Sequence, residues 1–223
     1  NFLQILLENA KNDEKLDENL VKRLISSKRL YYDKNGEEHY NLISALHKSL
    51  RGSNPQAGLY WMARMLESGE DPLYIVRRLV RFASEDIGLA DPQALVQAIA
   101  VKEAVHFLGM PEANNAIAQL VVYLATAPKS NSLYVACKNA SDLAHETGHV
   151  SVPIHLRNAP TKLMEKIGYG VEYKYPHDYK NHYVVQKYMP EGLNNKTIYE
   201  PGDFGYEKEI KKRIEWWNKL SKE

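Results

Sequence analysis

Four proline pairs set the organisation of this chain: Asn54-Pro55, Asp71-Pro72, Asp91-Pro92 and Met110-Pro111. Proline lacks a backbone N–H and fixes φ near −65°, so helix interiors exclude it while the first helical position accepts it. In the first three pairs the preceding Asn or Asp can cap the open N–H groups of a first turn. Gly69 and Gly109 stand where the first and third of those helices should stop. This stretch therefore reads as successive helices joined by tight turns, with neighbours expected to pack antiparallel.

The apolar positions fit that rhythm. Leu73, Val76, Val80 and Ala83 form one stripe, and Leu95, Ala98, Ile99, Val101 and Val105 form a broader one. Residues 116–125 are apolar nearly all round, which predicts a central helix ended by Pro128. Ser130 or Asn131 can cap the next helix, expected to run to about His145. Before the proline pairs, residues 1–30 hold two short amphipathic segments, the second capped by Asp17, and Tyr32 to Gly36 suits a turn.

After His149 the pattern changes. Residues 149–160 have loop chemistry, a short helix is expected from Thr161 to Ile167, and Gly168 stops it. Residues 169–205, rich in Tyr, Gly and Pro, form a long irregular segment. A last helix places Tyr206, Ile210, Ile214 and Trp217 on one face, so the C-terminus is expected to dock. The expected class is all-α: an antiparallel helical bundle with a long Tyr-rich irregular segment near the C-terminus.

Composition narrows the functional classes. Among 223 residues, 44% are hydrophobic and 26% charged, an ordinary globular mix. The net charge is only +1, so attraction to nucleic acid must be local. A lone cysteine, Cys137, excludes an internal disulfide and suits a cytoplasmic location; on its helix it is expected to be a small core residue. No apolar run approaches the ~20 residues that span a bilayer. The opening Asn1-Phe-Leu-Gln-Ile-Leu-Leu7 starts as if inside a helix, which points to a piece of a longer protein.

Several residues carry candidate chemistry. His145-Glu-Thr-Gly-His149 matches the H-E-x-x-H pattern of zinc peptidases, with His155 at the spacing of a third ligand and Met164 downstream. Against it, Val152 stands where the longer motif needs Gly, and Gly148 weakens the helix that must aim both imidazoles. A P-loop needs Gly-Lys-Ser/Thr at a helix start, and none of the twelve glycines is followed by Lys. This chain alone is therefore expected to bind neither ATP nor Mg²⁺, to hold no metal and to catalyse nothing.

Arg77, Arg78 and Arg81, together with Lys48 and Arg51, could form a phosphate-binding ridge. A solvated face in which Arg81 pairs with Glu85 explains the same residues more simply. Seven of the fifteen tyrosines fall between 169 and 199, interleaved with Lys174, Lys180 and Lys187. They could stack single-stranded bases. More often such rings pin a loop onto a helical surface, ring buried and hydroxyl wet. His39 and His47 fit packing or hydrogen-bonding roles.

Beyond these local patterns, several blocks resemble one family. They are His39 to Met62, Asp71 to Arg78, Ala83-Ser-Glu-Asp-Ile-Gly88, Ala116 to Gln119, Tyr123 to Asn131, Val152 to Met164, and Gly168-Tyr-Gly170. Together they resemble the C-terminal region of the RarA/MgsA family of AAA+ ATPases, related to clamp loaders and including the Werner helicase-interacting protein. The resemblance implies that residues 1–31 end an AAA+ lid domain and that 32–160 form a helical oligomerisation domain. Residues 161–223 would then hold the short helix, the Tyr-rich segment and the docked C-terminal helix.

It further implies a homo-tetramer within a DNA-dependent ATPase that acts at stalled replication forks and meets single-strand-binding protein. ATP and Mg²⁺ would belong to an N-terminal domain outside this sequence. His155 lies within the recognised blocks and His145 to His149 do not, which splits the apparent zinc triad.

Overall fold

The computed structural model describes residues 37–221; the two amphipathic segments at 1–30 and the Tyr32 to Gly36 turn lie outside them. The described residues are helical, without a strand. They comprise α1 (Glu37–Arg51), α2 (Pro55–Glu67), α3 (Pro72–Phe82), α4 (Gln93–Leu108), α5 (Asn114–Thr126), α6 (Ser132–Thr147), α7 (Lys162–Lys166) and α8 (Glu207–Leu220). A π-helical turn, Ala83–Ile87, and a 3-10 turn, Gly88–Ala90, connect α3 to α4. No described helix is long and apolar enough to cross a membrane.

The proline pairs act as their chemistry requires. Asn54 accepts a hydrogen bond from the Ala57 N–H at 3.0 Å, and α2 begins on Pro55. Asp71 Oδ1 accepts from the Leu73 N–H at 2.9 Å, and Asp91 Oδ1 from the Gln93 N–H at 3.0 Å. Gly69 and Gly109 follow α2 and α4 with φ of +84° and +73°. Ser130 rather than Asn131 caps α6, its hydroxyl oxygen accepting from the Ser132 N–H at 3.2 Å.

The described residues divide into two compact units, 37–79 with 101–126, and 80–100 with 127–221. In the first unit α1 packs on α2, and both pack on α5. The layer between them holds Leu42, Leu46 and Leu50 of α1, Met62 and Met65 of α2, and Ile117, Leu120, Val121 and Leu124 of α5, all buried. The near-uniformly apolar helix is thus central, as its sequence demanded. In the second unit α6 packs against the π and 3-10 turns, over buried Ile87, Ala90 and Ala136.

Four expectations need correction. Along α3 and into the π turn the fully buried residues are Ile75, Val76, Leu79, Phe82 and Ala83, so Leu73 and Val80 flank the buried face. On α4, Ala94, Ala98, Val101 and Val105 are buried, but Leu95 and Ile99 are each 43% exposed beside exposed Val96. The small residues mark the true inner face, because alanines allow closer packing than the branched residues beside them. Cys137 is exposed, and its neighbour Ala136 takes the core position instead. On α8, Tyr206 and Trp217 are exposed and Ile210 and Ile214 half-buried; the fully buried residue is Glu207.

Gly58 explains how closely the first unit packs. A Cβ there would stand 3.0 Å from Val121 Cγ1 and 3.1 Å from Leu50 Cδ2. Alanine would offset such crowding with up to about 1 kcal/mol of helix propensity. A leucine has no such room, so Gly58→Leu is expected to lose about 1–3 kcal/mol in chemical denaturation through overpacking. Unchanged stability would contradict the close α1–α2–α5 approach.

Candidate functional site

The sequence candidates do not form a metal centre. His145, Glu146 and His149 are all exposed, with His145 and Glu146 in the last turns of α6 and His149 beyond its end. His155 Nε2 lies 2.7 Å from the Lys187 carbonyl oxygen. Among the described residues no group of three or more His, Cys, Asp or Glu could hold a metal ion.

Of the basic candidates, Lys48 and Arg51 lie in the last turn of α1. Arg77 is exposed on α3, and Arg78 is half-buried with its Nε buried and unmatched. Arg81 Nε donates to Glu85 Oε1 at 2.7 Å, the i, i+4 pair expected of a solvated face. Its exposure makes that pair worth little to stability.

His39 has the hydrogen-bonding role expected of it. Its Nδ1 lies 2.6 Å from Glu70 Oε2, and its ring packs 4.6 Å from that of Tyr74. Glu70 is buried, which pushes its carboxyl above the usual range; the Asp71 N–H, 2.9 Å from Oε1, works the other way. This polar contact ties the start of α1 to the turn before α3.

The most elaborate polar site lies in the second unit, around the first residue of α8. Glu207 is 0% exposed. Its Oε1 accepts from the Ser132 hydroxyl and from the Tyr199 hydroxyl, the latter at 2.9 Å. Its Oε2 accepts from the Gly202 N–H at 3.0 Å. Behind Ser132, the Ser130 hydroxyl donates to Ser132 Oγ at 3.1 Å, and the Ser130 N–H to the Asp86 carbonyl at 2.9 Å.

Two glycines let this arm lie so close. A Cβ on Gly202 would stand 2.7 Å from Glu207 Oε2. One on Gly205 would stand 2.0 Å from the Ala90 carbonyl oxygen, and φ there is +55°. The Tyr206 N–H donates to that same Ala90 oxygen at 2.7 Å. The arm is therefore fastened to the 3-10 turn and to the start of α6 at once. A cleft of about 540 Å³ runs beside it, lined by Lys129, Asn131, Val135, Asn139 and Phe204 among others.

Electrostatics follow from that geometry. Burial alone would raise the Glu207 carboxyl, but the surrounding hydroxyls of Ser130, Ser132 and Tyr199 and the Gly202 N–H more than offset it and hold it below its ordinary value. The Tyr199 phenol is pushed up to about 12 by burial and by the carboxylate it bonds. Lys129 is lowered by burial, with the Asp86 charge opposing. Chemically this is a clamp: a charge-assisted network whose donors all come from the chain itself.

Glu207, Gly202 and Gly205 are not among the sequence candidates, and Tyr199 is there only as one of the seven tyrosines of the irregular segment. A signal existed, since Glu207 falls at i, i+3 and i+7 with Ile210 and Ile214, an acid in line with an apolar stripe. The expected face of α8 was therefore displaced, with an acid at its most buried position.

Glu207→Gln is expected to cost about 1.5–3 kcal/mol, because an amide nitrogen must face donors where an oxygen stood. The pH dependence has a defined sign. With its pKa depressed, Glu207 stabilises the fold above the ordinary carboxylate value of about 4.3, and that contribution fades as pH falls through the folded-state value. With its pKa raised, Tyr199 stabilises the fold below about 10, and its contribution fades as pH rises towards about 12. Urea titrations across pH should show a shallower acid limb in Glu207→Gln and a shallower alkaline limb in Tyr199→Phe. Limbs that superimpose on the parent protein's would contradict the network.

Comparison with known proteins places this architecture. The family described as MgsA AAA+ ATPase C terminal matches residues 52–218, and the AAA C-terminal domain matches residues 1–51. Replication-associated recombination protein A of Haemophilus influenzae is 45% identical over 219 residues, 96% of this chain and 49% of that protein. Its Escherichia coli K12 namesake is 44% identical over 221 residues, 97% of this chain and 49% of that protein. ATPase WRNIP1 of Dictyostelium discoideum is 54% identical over 178 residues, 79% of this chain and 20% of that protein. The chain spans about half the length of the bacterial relatives. With three-quarters of its residues under one family description, the chain belongs to the MgsA AAA+ ATPase C-terminal family.

Proposed function

We propose that this chain is the assembly region of an AAA+ ATPase of replication-associated recombination and repair, and that it holds the ATPase domains together as a homo-tetramer. ATP and Mg²⁺ are bound and used by the N-terminal portion that the relatives' extra length represents, in the cytoplasm. DNA and single-strand-binding protein are partners of the whole protein.

One observation carries the reading: α4 exposes more large apolar residues than a helix open to solvent has reason to show. Leu95, Val96, Ile99 and Leu108 are all more than 40% exposed, and Phe107 is 90% exposed. Single exposed apolar residues are ordinary, but five on one helix of sixteen residues are not. A second copy would cover them. A stable interface buries over about 1,000 Å² in total, and these residues would form the apolar centre of one. A ridge of Lys48, Arg51, Arg77, Arg78 and Arg81 contacting DNA is the weaker proposal, because Glu85 already engages Arg81.

Sedimentation equilibrium over a concentration series tests the assembly reading. The expected mass is four chains at micromolar concentration, falling to one or two in Ile99→Asp with Phe107→Asp while helicity is retained. A parent chain that stays monomeric, or a double variant that still forms tetramers, would overturn it.

A further inference from the structure

Four of the seven tyrosines of the irregular segment do not do what loop-pinning rings do. Tyr173, Tyr175, Tyr179 and Tyr188 are all exposed, with Tyr175 at 53%. Burying a tyrosine ring is what makes it stabilise a loop, and these four contribute little of that. Their positions are nonetheless held. Tyr175 packs against His177 at 5.1 Å between ring centres, and His177 against His182 at 5.0 Å, which makes an exposed row of three rings.

The backbone beneath the row is built for it. Asn181 and His182 both adopt positive φ, +62° and +52°. Consecutive left-handed residues without glycine are uncommon and mark a segment whose shape is imposed. The His182 N–H donates to the Tyr179 carbonyl at 3.0 Å, and the Asp178 N–H to that of Tyr175 at 3.1 Å. The Gln186 side-chain amide bonds both main-chain groups of Lys174, accepting from its N–H at 3.2 Å and donating to its carbonyl at 2.9 Å. It also donates to the Tyr188 hydroxyl at 2.7 Å. The Tyr183 hydroxyl meets Ser221 Oγ at the end of α8.

Charge completes the description. Between 173 and 188 stand Lys174, Lys180 and Lys187 against a single acid, Asp178, and all three lysines are exposed. Chain-wide the net charge is only +1, so this excess is local. Exposed rings in fixed positions, set among lysines that can meet phosphates, are the two components of a surface that takes unpaired bases. A duplex hides its base faces by stacking, so it offers these rings nothing.

We propose that residues 173–188 form a binding site for single-stranded nucleic acid, in which Tyr175, His177 and His182 stack on successive bases and Lys174 and Lys180 meet the backbone phosphates. The site shares no residue with α4, which carries the assembly reading, and does not depend on it. Tyr179 and Tyr188 flank the row and extend the surface.

Fluorescence anisotropy on the whole chain tests this with labelled oligothymidylate and oligouridylate of roughly 16 nucleotides, the upper range of a single-strand module. At least one should bind more tightly than a duplex of equal length. Tyr175→Ala and His182→Ala should each weaken binding about ten-fold, the effect of removing one base stack. Tyr175→Phe, which keeps the ring, should bind as the parent does. Lys174→Ala with Lys180→Ala should make log affinity fall less steeply with log salt, by about 0.7 for each phosphate no longer neutralised.

Sedimentation of each variant keeps assembly separate, since parental mass with weakened binding is the expected result. No binding of either strand would overturn the site. So would parental affinity in both alanine variants, or equal binding of duplex and single strand, which would place the contact on charge elsewhere.

Discussion

One buried carboxylate fixes the C-terminal arm of the second unit. Glu207 sits fully inside, and water cannot solvate it there, so its charge is tolerable only while donors surround it. Those donors come from three places: the start of α6, the irregular segment at Tyr199, and the backbone at Gly202. Satisfying one acid therefore ties the arm from Tyr199 to Glu207 to the start of α6, 75 residues away in sequence. An apolar residue at 207 could bury as much surface, but it would not select a single arrangement of hydroxyls and N–H groups around it. The glycines at 202 and 205 are the complementary constraint, since side chains there would collide with the carboxylate and with the Ala90 carbonyl.

The fold was largely legible because its punctuation is local. A cap residue with proline, or a glycine after an apolar run, acts within one helical turn, so Asn54, Asp71 and Gly69 could be interpreted without knowing any distant neighbour. The misplacements share the opposite cause. Leu95 and Ile99 were assigned inward by hydrophobicity, whereas the alanines at 94 and 98 face in because the packing there is close. Cys137 was assigned inward for the same reason, one residue away from Ala136. Periodicity shows that a stripe exists and leaves its rotation uncertain by about one residue.

The sites were less legible, for a physical reason. Short motifs specify residue types but not directions: in the H-E-x-x-H match, His145 and Glu146 lie exposed at the end of α6 while His149 lies exposed beyond it. Glu207 carries no such motif: its partners are two hydroxyls, one of them 75 residues away, and one main-chain N–H, which leave no spacing rule in a sequence. The resemblance in blocks such as Ala83 to Gly88 and Tyr123 to Asn131 was informative in another way. Asp86 and Ser130, from those two blocks, are joined by a hydrogen bond beside the Glu207 clamp. The blocks thus meet in space around an arm that lies outside them.

The clamp is best tested through the amides it protects. The Gly202 N–H is held by Glu207, and the Tyr206 N–H by the Ala90 carbonyl four residues along the same arm. Native-state hydrogen exchange reports each directly. If Glu207 fastens the arm, both amides are protected in the parent chain, and both lose protection in Glu207→Gln while the α2 and α5 amides keep theirs. Rapid exchange at Gly202 and Tyr206 in the parent chain, or protection unchanged in the variant, would contradict the account.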